Sequence, residues 1–186
     1  MKKKLEEIEL FNYEPLDSIA IVNEPAIMVD FMCFSAEKQY SFANDEKHII
    51  TGPILIPDLR ILRYKKDTGE PFYIYFSKET VEKVAHDFLS YDKNSSFNLQ
   101  HAVDTDKLTM IESWIKVDEL DKSTALGIDV PVGTWLASVK VHSMPLWAEI
   151  KAGKYNGFSI QGLFSQRSDD DVLLAKIKKL VEECEE

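Results

Sequence analysis

The sequence predicts an α+β domain, mostly antiparallel strands with a few helices outside them. Three observations carry this. Short runs rich in Ile, Val, Phe and Tyr recur between turn signals. Pairs of such runs flank polar, Gly-containing loops of hairpin length. One internal segment, 78–89, has an unambiguous helical apolar stripe. The length of 186 residues suits one domain with tails. The charge-rich first fifteen residues predict a tail, residues 16–167 the domain, and 168–186 a C-terminal helix.

Composition excludes several classes of function. Hydrophobic residues make up 45% and charged residues 29%, as in an ordinary soluble globular protein. The formal charge of −10 argues against nucleic-acid binding, which needs a basic face. No apolar run approaches the length needed to span a bilayer, and the basic Met1–Lys4 start has no apolar run after it to make a signal peptide. Cys33 and Cys184 stand at opposite ends of the chain in no ligand spacing, so reduced thiols are expected. No cofactor or metal is expected.

In chain order, Leu16–Val22 and Ile27–Phe34 read as strands joined through Asn23-Glu24-Pro25, and 36–47 as a polar loop. Pro53 and Pro57 bracket Ile54–Ile56, which predicts an edge strand or a bulge within His48–Pro57. Leu59–Tyr64 and Phe72–Phe76 flank a Gly69-containing loop and predict a hairpin. Ser77 caps the helix Lys78–Leu89, whose stripe is Val81, Val84, Ala85, Phe88 and Leu89. His86 lies off that stripe and predicts a surface residue.

Phe97–His101 then reads as a strand that Asp104–Lys107 turns into Leu108–Val117. In that register His101 lies opposite Met110 with Glu112 as its diagonal neighbour, and Ile111 and Ile115 point to the core. Asp118–Pro131 is an acidic loop turning at Gly127, and Thr134–His142 a strand. Ser143 caps Met144–Ala152, with Pro145 in its first turn and Gly153 as the left-handed stop. Phe158, Ile160 and Phe164 alternate with Ser159, Gln161 and Ser165, a strand with Ser159 opposite the aromatic face. Gly157 would let another backbone or a substrate approach closely. Three aspartates, Asp169–Asp171, open a last helix whose stripe is Leu173, Ile177, Leu180 and Cys184.

A serine, a histidine and a carboxylate on three strands are the parts of a Ser-His-acid hydrolase. The spacing Gly-x-Ser-x-x-Gly, with no strand-turn-helix around it, disfavours the nucleophile elbow of α/β-hydrolases. An oxyanion hole would come from backbone N–H groups near the serine or from Arg167.

Four blocks together resemble the phage prohead proteases of the XkdF-like type, relatives of the herpesvirus assemblins. They are Gly52-Pro53 through Arg63, Asn98-Leu99-Gln100-His101, Ile111-Glu112-Ser113-Trp114-Ile115, and Gly133-Thr134-Trp135 through Gly157–Gly162. The resemblance implies a β-barrel serine protease of herpesvirus-protease-like fold. It would trim scaffold and major capsid protein inside the immature head, in the host cytoplasm. Carried over by position, Ser159 is the nucleophile, His101 the general base and Glu112 the third member. In the herpesvirus relatives the third member is a second histidine after the serine, and this chain has none beyond His142; Asp169–Asp171 is a further candidate. A homo-oligomer, and an inactive structural or scaffold-binding virion protein on the same barrel, stay open.

Overall fold

The computed structural model describes residues 5–12, 14–25 and 47–166. In chain order these form β1 (Glu7–Phe11), β2 (Ser18–Val22), β3 (Ile49–Leu55), β4 (Ile61–Tyr64), β5 (Pro71–Tyr75) and α1 (Lys78–Ser90). There follow β6 (Phe97–Leu99), β7 (Val103–Thr105), β8 (Leu108–Ile115), α2 (Lys122–Ala125), β9 (Trp135–Val141), α3 (Met144–Lys151), β10 (Gly157–Gln161) and β11 (Ser165–Gln166). The strands make three sheets, ordered β11-β1-β5-β4, β10-β2-β6-β7 and β3-β9-β8.

The fold is mixed α+β, as predicted, but the sheets do not close into a barrel. β10 and β3 pack side by side without a hydrogen-bonded ladder. Pro53 has no N–H to give, and the β3–β9 register slips between Pro53 and Leu55, so the irregularity its prolines predict falls in this sheet-edge strand. The predicted bulged edge strand is therefore also the seam at which closure stops. Two neighbouring pairs, β1 with β5 and β2 with β6, are parallel.

Most local expectations hold. The hairpin β4–β5 turns through Gly69 at φ +71°. Ser77 Oγ accepts from the Thr80 N–H, and Val81, Val84, Ala85 and Phe88 are buried, with Phe88 edge-on to Trp135. Leu89, last in the stripe, is half exposed. Ser143 caps α3 at the Leu146 N–H, and Gly153 ends it at φ +76°. The loop 118–131 contains the short helix α2, capped by Asp121 on the Ser123 N–H.

Three segments differ from expectation. Glu7–Phe11 is a strand and not tail, because Glu7–Glu9 pair with Tyr73–Tyr75 of β5, Leu10 and Phe11 pair with β11, and Ile8 to Phe11 are half-buried. The run after Gly157 breaks into β10 and β11 near Gly162, where the chain passes so close to Leu16 that an added Cβ would lie 3.0 Å from Leu16 Cδ2. Ile111 is exposed and not core, since β8 bulges between Met110 and Glu112. The strand expected at Ile27–Phe34, Arg167, Asp169–Asp171 and the helix over 168–186 lie outside the described residues.

Candidate active site

The second sheet assembles the site. Ser159 on β10 pairs with Ala20 on β2, and Ala20 pairs with Asn98 on β6. Residues in register share a face, so serine, alanine and asparagine form one row across three strands. His101 reaches over this row from the far side, and its Nε2 lies 2.8 Å from Ser159 Oγ. Between them Ala20 presents only a methyl group, which leaves room for the ring. Phe158 is buried and Ser159 half-buried, so the serine does lie opposite the aromatic face.

His101 gets there by leaving the strand. β6 stops at Leu99 and pairs antiparallel with Val103–Thr105, so residues 100–102 form a tight turn closed by Ala102 N–H to Leu99 C=O at 3.0 Å. Gln100 and His101 both occupy the left-handed region, at φ +55° and +56°. Neither is glycine, so each costs energy, and such strain gathers where geometry serves function. The alternation that would put His101 on the same face as Phe97 and Leu99 stops applying at the turn.

Asn98 holds that turn and was not singled out by sequence reasoning. Its side chain is 2% exposed. Nδ2 donates to Ser18 Oγ at 2.7 Å and to Gln161 Oε1 at 2.9 Å, while Oδ1 accepts the His101 N–H at 2.9 Å. One amide thus ties the histidine's backbone to the adjacent strand β2 and, beyond it, to the serine strand β10. Gln100 adds a second tie: its N–H donates to Ile21 C=O at 3.0 Å, and its Oε1 accepts from the Asn23 N–H at 3.3 Å. The available signal was a polar residue between Phe97 and Leu99, three positions before the histidine.

Glu112 is not where the predicted register put it. β8 pairs with β9 and not with β6, so Glu112 stands opposite Ser138. Its Oε2 accepts from Ser138 Oγ at 2.5 Å and pairs with Lys122 Nζ at 2.8 Å. Lys122 in turn sits 3.8 Å over the Trp114 ring. Among the described residues no carboxylate bonds to His101, whose side chain bonds to Ser159. The Lys122 ammonium, then the Ser138 hydroxyl, hold the Glu112 carboxyl below its ordinary range. A lowered folded-state value means the pair stabilises the fold above the usual carboxylate range, and that this is lost as pH falls through it. The effect is small because the Glu112 side chain is 52% exposed. Glu112→Gln should therefore lower the melting temperature slightly at neutral pH, with the difference vanishing in acid. It should change the rate of any Ser159-dependent reaction by less than about threefold. A loss of roughly 10²–10⁴-fold, the size expected for a triad acid, would restore the acid role.

The other histidines stand apart from the serine. His86 is exposed on α1 as expected, and His142 Nε2 contacts Thr109 Oγ1 at 3.1 Å. What crowds Gly157 is the Pro25 ring and not the backbone or substrate expected there: an added Cβ would lie 2.5 Å from Pro25 Cγ and 2.6 Å from its Cβ. Gly157→Ala should destabilise the protein by about 1–3 kcal/mol through overpacking, read by denaturant unfolding. An unchanged midpoint would show that the Asn23–Pro25 turn yields freely.

Beside Ser159, at the β3–β10 seam, opens a pocket of about 310 Å³. A family model described as "Putative phage serine protease XkdF" matches residues 38–167 of the chain. No curated protein and no solved structure matches the chain.

Proposed function

The chain belongs to the phage serine protease XkdF family, and on that premise we propose that it is an endopeptidase working through a Ser159–His101 dyad. The observation that carries this reading is the 2.8 Å contact between His101 Nε2 and Ser159 Oγ. A free hydroxyl is a poor nucleophile, and a neutral imidazole at hydrogen-bond distance removes that obstacle.

The steps follow from the contact. Ser159 Oγ attacks the scissile carbonyl carbon as its proton passes to His101 Nε2. The tetrahedral adduct collapses with cleavage of the C–N bond, and His101 returns the proton to the departing amine. Water, deprotonated by the same nitrogen, then releases the acyl group and regenerates Ser159. Nε2 must be unprotonated at the start, so the ring carries its proton on Nδ1. In place of an orienting carboxylate, the ring is fixed through its backbone by the left-handed turn and the Asn98 amide.

In this reading the substrates are the scaffold and major capsid protein, cut within the immature phage head in the host cytoplasm. The test uses the purified full chain. A small fluorophosphonate should form an adduct mapping to Ser159, and the chain should process unprocessed head protein at discrete sites. No adduct and no cleavage would overturn the enzyme reading in favour of an inactive, scaffold-binding virion protein.

A further inference from the structure

The pocket beside Ser159 has a chemistry that the dyad does not use. Its walls come from five strands and the segment after β10, and include Ile54, Ile61, Ile74, Phe76, Phe158 and Phe164. Ser159 itself lines it, so a polypeptide whose carbonyl meets Oγ has a neighbouring side chain at the mouth. The volume of about 310 Å³ sits at the lower end of the range for ligand pockets, on the order of 300–1,000 Å³.

One lining side chain is charged. Arg63, exposed on β4, donates to the Leu62 C=O at 2.9 Å and has no carboxylate partner among the described residues. The contrast lies on the same hairpin: Arg60 pairs with Glu7 at 3.3 Å and lies over Tyr75, and Lys65 pairs with Glu6 at 2.8 Å. In a chain of net charge −10 a guanidinium without a carboxylate among the described residues, at the edge of an apolar pocket, is available to a carboxylate of the substrate.

We infer that this pocket is the specificity site: it takes an apolar side chain of the substrate near the scissile bond, and Arg63 takes an acidic residue beside it. The inference rests on the Ser159–His101 reading, and the apolar part is the larger contributor. A buried aliphatic or aromatic side chain gains roughly 1.5–3 kcal/mol, about 10- to 150-fold in selectivity. A rim charge acts more on association and on salt dependence.

The experiment digests a proteome-derived peptide library with the full-length protein and reads the new termini by mass spectrometry. In parallel it measures fluorophosphonate labelling, which requires the dyad and no peptide side chain. Apolar and acidic residues should be enriched within a few positions of the cut. Arg63→Glu should abolish or invert the acidic preference, and the acidic enrichment should weaken with added salt. Ile74→Trp, which fills the pocket, should lower the ratio of peptide cleavage to labelling at least tenfold. Should Ile74→Trp not fold, Arg63→Glu and the wild-type profile decide alone. Cleavage and labelling without either enrichment would overturn the specificity assignment and leave the dyad standing. Neither labelling nor cleavage by the wild type would overturn both.

Discussion

Replacing Ser159 with alanine is expected to reduce proteolysis about a million-fold and to leave a folded protein, the size of loss typical for a nucleophilic serine. The substitution removes one oxygen from a half-buried position on β10. The ladder of β10 with β2 is made of backbone bonds and does not depend on it. The row that continues to Asn98 keeps both of its other side chains, so His101 stays on its turn. Three readouts separate chemistry from folding: head-protein processing should vanish and fluorophosphonate incorporation should fall to background, while the unfolding free energy changes by no more than about 1 kcal/mol. Near wild-type processing would mean that another group attacks the peptide. Loss of the fold would mean that the Ser159–His101 bond is structural.

Much of this site was legible in the sequence because its signals are local. Phe158, Ile160 and Phe164 alternating with Ser159 and Gln161 fix which way the serine faces. The helix caps Ser77 and Ser143, and the prolines at 53 and 57, report on neighbours a few residues away. What failed was pairing. Asn98–His101 reads as the end of a strand because nothing in four residues announces two consecutive left-handed conformations without glycine. That one error placed Leu108–Val117 beside the histidine and brought Glu112, which the resemblance also pointed to, within its reach; the partner of β8 is β9. The parallel pairing of β2 with β6 joins residues nearly eighty positions apart and leaves no periodic mark. The barrel expectation came from resemblance, and the unladdered seam between β3 and β10 that interrupts it leaves no mark in the apolar pattern.

Asn98→Ala is expected to lower kcat by roughly 10²-fold with little change in KM, since a displacement of about 1 Å in a positioned group costs that much. Asn98 is 2% exposed, and its side-chain amide bonds to Ser18 Oγ, Gln161 Oε1 and the His101 N–H. Alanine leaves the Ser18 hydroxyl, also buried, without its donor, and frees the turn at the residue that carries the ring. Each orphaned group costs about 1–3 kcal/mol, and at roughly 2–4 °C per kcal/mol the melting temperature should fall by several degrees. A merely structural role predicts that fall alone. A positioning role predicts in addition that fluorophosphonate labelling slows in step with kcat, well below the melting temperature. Ser18→Ala provides the comparison: it removes one acceptor of the same amide and leaves the contact to His101, so it should cost some stability and less than about tenfold in rate. If Asn98→Ala loses stability but labels at the wild-type rate, the ring is held by its bond to Ser159 and by Gln100, and the asparagine belongs to the sheet and not to the chemistry.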